Sequence, residues 1–334
     1  MFEFTRYDQL RLKTDPKYDV GSFGDVLEIK GNDDHSKLLT MLEDLNNDSL
    51  PIEEVFSKYF DEENYFTWLA FSILTGNTDT INRNFYLYSP QNAQKFYFIS
   101  WDNDAAWRRS ADIAEGAEKD YGHMEGISNY WGIVLHERIL RNPDFRKKLD
   151  DKVEELHNIL SAERLTEMVK NYQTIVEPYL FSMPDAMHTD VDQAMFQKIV
   201  AAIPQEIELN YQLYRDSLDK PMPFYSAEPV YQDGGILYQW DTAFDFDGED
   251  ITYTFEVSND LSFQTVLMKR DGLKTPYTLG EKLPVGQYFY RITAQNASGY
   301  EQKSLEYYTD TDGEKHFGTR CFYVLPDGSL GGAE

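Results

Sequence analysis

The stretch that decides the reading is Gly76–Asp104, GNTDTINRNFYLYSPQNAQKFYFISWDND. Phe85-Tyr86-Leu87-Tyr88 is an aromatic, strand-forming run, Ser89 to Gln94 is a polar turn with Pro and Asn, and Phe96 to Trp101 is a second strand. Upstream, Phe66, Leu69, Ala70, Ile73 and Leu74 recur at the spacing of one helical face, with Asp61 placed to cap that helix and Gly76 to stop it. The predicted order is helix, polar loop, strand, turn, strand.

A hairpin brings its open ends together. Asp79 and Asn84 fall in the loop before the first strand and Asp102 at the exit of the second, so the three side chains are expected at one edge. Two hard-oxygen ligands, Asn84 and Asp102, suit Mg²⁺, which keeps several waters and takes one or two carboxylates plus phosphate oxygens. Asp79 is then left to orient a hydroxyl nucleophile and accept its proton. Protein kinases divide the work this way, with a catalytic Asp, an Asn shortly after it, and a second, metal-binding Asp beyond a hairpin. Here Asn84 follows Asp79 by 5 residues and Asp102 follows it by 23.

On these residues the chain resembles the CotH kinase family, the spore-coat-protein-H-like atypical protein kinases. The matching positions are Trp68 and Ala70 on the helix, Gly76-Asn77-x-Asp79, Asn84-x-Tyr86-Leu87-Tyr88 and Trp101-Asp102-x-Asp104. Arg141-Asn142-Pro143-Asp144-Phe145-Arg146 and the helices after it resemble the family's C-terminal part, so the likeness runs over roughly residues 20 to 220. The resemblance implies Asp79 as the catalytic Asp, Asn84 as a ligand on the metal side, Asp102 as the principal Mg²⁺ ligand and Asp104 as a recurrent acidic position beside them. It also implies ATP as co-substrate, a Ser or Thr of a protein as acceptor, and a secreted or surface-associated bacterial protein. Ser100 is a departure, standing where the family has Pro before the Trp-Asp pair.

A kinase-like protein also needs a small lobe with a phosphate-covering loop and a Lys paired to a Glu. Only 78 residues precede Asp79, and they read as loop and helix. Gly21-Ser22-Phe23-Gly24 follows no convincing strand, and Lys30 is the one residue to set against the missing Lys. The expectation is a chain that begins at the hinge or just after the small lobe, and so binds ATP poorly as it stands.

The rest of the chain divides by period. From Ile52 to about Leu218, the hairpin apart, it reads as helix after helix. Asn142-Pro143 starts one of these, Ser161 caps the next, and Ser182-Met183-Pro184 ends it. Pro221-Met222-Pro223 is the linker. Beyond it Ile251, Tyr253, Phe255 and Val257 alternate with polar neighbours, as do Tyr288, Tyr290, Ile292 and Ala294. Several short strands within one hundred-residue stretch read as a β-sandwich. Leu283-Pro284-x-Gly286-x-Tyr288 resembles the tyrosine corner of fibronectin type III domains, with Trp240 as a core Trp, over roughly 223 to 327. The expected fold class is therefore α+β and multidomain. A mostly helical kinase-like large lobe with a catalytic β-hairpin occupies 1–220, and an all-β immunoglobulin/fibronectin-III-like sandwich occupies 223–327.

Composition narrows the partners. Lys and Arg total 31 against 58 Asp and Glu, a formal charge of −27, which argues against nucleic-acid backbones and anionic membranes; the carboxylates read first as a solvated surface, one that would also favour a cationic protein substrate. The 1 cysteine, Cys321, excludes an intrachain disulfide framework and a thiolate zinc site. No apolar run approaches membrane-spanning length, and residues 1–20 carry no signal-peptide pattern.

Competing readings are weaker. Asp102-Asn103-Asp104 is also the Asp-x-Asp of nucleotide-sugar glycosyltransferases, but the segment upstream is helical where a nucleotide-binding sheet is required. Asp245-x-Asp247-Gly248-x-Asp250 places Glu256 where a Ca²⁺ loop wants its last ligand, yet the glycine is misplaced and Glu256 falls inside a strand. The histidines at 35, 123, 136, 157, 188 and 316 form no close pair along the sequence and read as packing or surface residues. Arg108-Arg109 reads as a phosphate or substrate contact or as a surface loop. A reading of a different class stays open: a non-catalytic surface or scaffold protein that keeps the kinase-like lobe and binds protein or carbohydrate through its β-sandwich.

Overall fold

The computed structural model describes residue 34 and residues 36–81 and 83–332. The Gly21–Gly24 pair and Lys30 lie outside these. The architecture is α+β and multidomain, a helical region followed by antiparallel sheets. Contacts divide the chain into two compact units, one of residues up to Lys119 with Ile133–Tyr214, the other of Asp120–Gly132 with Arg215 onward.

The helical unit contains α1 (Ser36–Leu45), α2 (Ile52–Tyr59), α3 (Glu62–Leu74), the hairpin β1 (Phe85–Tyr88) and β2 (Tyr97–Ser100), α4 (Arg109–Glu115), α5 (Val134–Arg141), α6 (Pro143–Ile159), α7 (Ala162–Leu180) and most of α8 (Gln193–Asp219). Local chemistry sets the helix starts. Asp61 Oδ1 accepts the Asn64 N–H at 3.0 Å to open α3, and Asn142 Oδ1 accepts from Asp144 and Phe145 at 2.9 and 3.0 Å to open α6, with Pro143 in its first turn. Ser161 does the same for α7, accepting from Arg164.

The sequence marks one apolar face on α3; the structure buries Tyr65, Trp68 and Ser72 as well. A helix covered nearly all round is a central element, with neighbours on several sides. Phe145 of α6 packs between Phe56 and Phe66, at ring distances of 4.9 and 6.0 Å. Trp68 stacks on Phe98 of β2 at 4.4 Å and meets Phe85 of β1 edge-on at 5.3 Å. Truncating such a ring to Ala costs about 3–5 kcal/mol. Asn64 adds directional bonds, its Oδ1 accepting from the Phe98 N–H at 2.7 Å while its Nδ2 donates to the Phe98 carbonyl at 3.0 Å. One side chain thus acts as a strand partner for β2 and fixes the hairpin on α3.

In the second unit the strands are β3 (Val230–Gln232), β4 (Gly235–Gln239), β5 (Thr252–Ser258), β6 (Val266–Leu273), β7 (Tyr277–Gly280), β8 (Gly286–Gln295), β9 (Glu301–Lys303), β10 (Tyr307–Thr309), β11 (Lys315–Phe317), β12 (Thr319–Val324) and β13 (Leu330–Gly332). One sheet runs β3-β4-β7 and another β13-β12-β8-β5-β6, with β9 beside β8 and β10-β11 as a separate hairpin. The alternation foreseen in the sequence is the packing observed: Tyr253, Phe255, Val257, Tyr288, Tyr290, Ile292 and Ala294 share one core with Ile236, Tyr238 and Trp240. Trp240 lies parallel to Phe255 at 6.0 Å. Tyr288 Oη donates to the Pro284 carbonyl at 2.9 Å, the corner bond that the Leu-Pro-x-Gly-x-Tyr spacing predicts. The Asp245 segment is an acidic turn, with Asp245 Oδ1 accepting from the N–H groups of Asp247 and Glu249, while Glu256 sits in β5 paired to Arg291 at 2.6 Å. The 120–132 stretch is held in this unit by Gln302 donating to Ser128 and by Trp131 stacking on Phe244 at 5.4 Å.

Candidate active site

Helix α3 stops as the sequence predicts. Gly76 takes φ +63°, and a Cβ there would fall 2.7 Å from Asn210 Nδ2 and 3.0 Å from Glu206 Oε1. Glycine is required twice, by backbone conformation and by the approach of α8. The chain then makes a short 3₁₀ turn, Thr78–Thr80, opened by Asn77, whose Oδ1 accepts the Asp79 N–H at 3.3 Å. Thr80 Oγ1 closes it on the Asn77 carbonyl at 3.0 Å.

This turn sets Asp79 against Asn84. Asn84 Nδ2 donates to Asp79 Oδ2 at 2.6 Å, and Arg83 Nε donates to Asp79 Oδ1 at 2.6 Å. With its amide nitrogen committed to Asp79, Asn84 offers its Oδ1 to any cation. Phe85 pairs with Ser100 as the first rung of the hairpin, so Asn84 and Trp101 leave from the same end. Both proposed ligands have left-handed backbone, Asn84 at φ +58° and Asp102 at φ +53°. Asn and Asp tolerate this conformation better than other side chains, and it recurs at working sites.

Asp102 and Asp104 are both exposed, Asp102 preceding and Asp104 inside the turn Asn103–Ala105. Asp79, Asp102 and Asp104 do not bring three oxygens within 4.8 Å of one another; among the described residues one group of metal-type ligands does, and it lies elsewhere. The hairpin site joins Asp79 to Asn84 and leaves Asp102 and Asp104 as open carboxylates. Asn103 ties the two loops together, its Oδ1 accepting from Asn77 Nδ2 at 3.1 Å and from Ser100 Oγ at 2.9 Å. Ser100, the departure from the family pattern, thus contributes a hydroxyl that Pro lacks.

Beneath the loops lies a feature that reading by motif missed. Glu206 and Asn210, one turn apart on α8, are buried. Glu206 accepts from the Arg109 N–H at 3.1 Å and from Ser110 Oγ at 2.6 Å, and Asn210 Nδ2 donates to the Leu74 carbonyl at 3.1 Å. Burial pushes the Glu206 carboxyl above its ordinary range, and the bonds from Ser110 and the Arg109 backbone oppose the shift. The two residues grip the segments on either side of the hairpin. Their signal is present in the sequence: Ala202, Glu206, Ile207, Asn210 and Tyr214 follow helical spacing, a polar pair on an apolar stripe. Of the arginine pair, Arg108 is exposed and Arg109 uses its backbone N–H on Glu206.

The sequence profile described as CotH kinase protein matches residues 4–214. That span exceeds half of the chain and contains the hairpin site, and the chain belongs to this family. No curated protein sequence matches it. Among solved structures it is similar to the twitchin kinase region from C. elegans (Fn31-NL-kin-CRD-Ig26), at 23% identity over 29% of this chain and 20% of that one, with a TM-score of 0.20. It is also similar to surface layer protein SbsC, domains 1–6, at 8% identity over 93% of this chain and 42% of that one, with a TM-score of 0.16. The chain spans less than half the length of either, and neither likeness bears on its fold or activity.

Proposed function

We propose that this chain carries the catalytic hairpin of a CotH-type atypical protein kinase, which, once a small lobe completes the ATP site, transfers the γ-phosphoryl group of ATP to a Ser or Thr hydroxyl of a protein. The domain assignment belongs to this reading, with a kinase-like domain over 1–220 and a fibronectin-III-like domain over 223–327. The observation that carries it is the Asp79–Asn84 contact at 2.6 Å, which leaves one carboxylate to work on a proton and one amide oxygen to face a cation.

The donor set fits Mg²⁺, being hard oxygens in small number. Asn84 Oδ1 and the Asp102 carboxylate would hold the ion, with Asp104 nearby in sequence; when bound, Mg²⁺ supplies charge neutralisation for the ATP phosphates. Asp79 orients the acceptor hydroxyl and takes its proton as that oxygen bonds to the γ-phosphorus and the bond to ADP breaks. Arg83 fixes the orientation of the Asp79 carboxylate. The charge of −27 favours a cationic protein substrate. Among the described residues no helix is long and apolar enough to cross a membrane, and the family supports a secreted or cell-surface protein.

Calorimetric titration with ATP and Mg²⁺, run on this chain and on Asp102→Ala, tests the reading. Binding that the substitution abolishes supports it; nucleotide binding indifferent to Asp102 overturns the metal assignment.

One observation favours a second reading, a non-catalytic surface protein that binds through the sandwich. Val230, Leu237 and Leu279 stand opposite one another across β3-β4-β7, and Val230, Leu279 and Tyr277 are exposed. Binding of a protein or carbohydrate that Tyr277→Ala abolishes and Asp102→Ala leaves unchanged supports that reading.

A further inference from the structure

The hairpin β10–β11 holds a set of metal-type ligands that the histidine spacing does not reveal. Tyr307 pairs with Phe317, Tyr308 with His316 and Thr309 with Lys315, leaving residues 310–314 as the connection. Asp310 organises it. Its Oδ1 accepts from the N–H groups of Asp312 and Glu314 at 3.0 and 2.9 Å, its N–H donates to the Glu314 carbonyl at 3.0 Å, and its carbonyl accepts from Gly313 at 3.1 Å, with Gly313 at φ +83°. One carboxylate oxygen is thus committed to the backbone. The other, Oδ2, lies 2.9 Å from His316 Nε2.

Glu314 completes the set. Ligand atoms of Asp310, Glu314 and His316 all lie within 4.8 Å of one another. Around an ion with bonds of about 2.0–2.2 Å, two ligand atoms stand at most about 4.4 Å apart, a limit that the exposed Glu314 side chain can turn to meet. Lys315, the cation next in the chain, projects to the opposite face of its strand, with Nζ 4.4 Å over the Tyr307 ring.

The geometry points to a surface site for a divalent transition-metal ion, with Asp310, Glu314 and His316 as ligands and water at the remaining positions. An imidazole nitrogen beside two carboxylates selects Zn²⁺ and its first-row neighbours over Mg²⁺ and Ca²⁺, which take oxygen ligands. This site belongs to the sandwich unit and is independent of the kinase reading.

Zn²⁺ titrated into the full chain by calorimetry is the test, with His316→Ala and Asp310→Asn as variants. Asp310→Asn keeps an oxygen to accept from the loop backbone while removing the charge, so it separates ligation from folding. Asp102→Ala and His157→Ala are controls for the hairpin site and for the His157–Glu208 pair. The expected result is a site that His316→Ala and Asp310→Asn each weaken about tenfold or more and that the controls leave intact. Absence of binding overturns the site, and so does binding that survives His316→Ala or is lost in a control.

Discussion

Asn84 donates its side-chain N–H to Asp79 Oδ2 at 2.6 Å across the loop that enters β1. This contact assigns the two residues different work. Replacing Asp79 with Asn should lower phosphoryl transfer by ~10²–10⁴ while nucleotide affinity changes little, since the lost term is proton transfer. Asn84→Ala should instead raise the Mg²⁺ concentration needed for half-maximal rate. Transfer of labelled γ-phosphate to a cationic protein, assayed over a Mg²⁺ series, separates the two.

Asp102 sits at φ +53° and makes no cap bond with its side chain. Asp102→Gly relieves the left-handed strain and should leave stability unchanged or raised by up to about 1 kcal/mol, whereas Asp102→Ala should be less stable than Gly by about 1 kcal/mol. Both remove the carboxylate. Chemical denaturation with and without Mg²⁺ should show Mg²⁺ stabilising the wild type alone.

Gly76 and Asn210 cannot both keep their places once residue 76 carries a Cβ, which would stand 2.7 Å from Asn210 Nδ2 at a positive φ. Gly76→Ala should cost roughly 1–3 kcal/mol. Adding Asn210→Ala should remove the clash with Nδ2 while giving up the bond to Leu74, so the double variant should cost less than the two single costs added. Urea midpoints of the single and double variants give the coupling directly.

One buried and one half-buried histidine set the acid response. Burial lowers the pKa of His136, whose Nδ1 lies 2.7 Å from Tyr65 Oη, to about 3. Burial, and then the charge of Lys315, lowers that of His123 to about 4. An unfolded chain takes up these protons near pH 6.5, so between there and the folded pKa the unfolded state binds more protons and stability falls as pH falls. The slope is about 1.4 kcal/mol per pH unit for each histidine. The loss runs down to about pH 3 for His136 in the helical unit and about pH 4 for His123 in the sandwich unit. Denaturant titrations between pH 7 and 4.5 should flatten in His136→Phe and His123→Phe, each within its own unit.

Glu206 receives the Arg109 N–H and the Ser110 hydroxyl in a buried place. Glu206→Ala orphans both donors and should cost about 2–4 kcal/mol. Glu206→Gln removes the charge whose burial raises the pKa. That penalty is present above the folded pKa and fades as pH falls through it, so any stabilisation by Gln should be larger at pH 8 than at pH 4. Thermal unfolding at the two pH values checks the sign.

Local chemistry carried much of this protein in its sequence. Asp61, Asn142 and Ser161 cap helices because their side-chain oxygens reach the next turn whatever surrounds them. The aromatic hairpin, the alternating strands and the corner bond of Tyr288 to Pro284 follow from equally short-range rules. Asp79 and Asn84 meet within one loop, close enough along the chain for spacing to place them together. What the tertiary structure decided is what distant segments do to each other. Glu206 and Asn210 bond to partners 96, 97 and 136 residues away along the chain, and no local pattern specifies such partners. The meeting of His316 with Asp310 and Glu314 is local by contrast, set by the turn that closes the β10–β11 hairpin, which the spacing of histidines along the chain does not reveal.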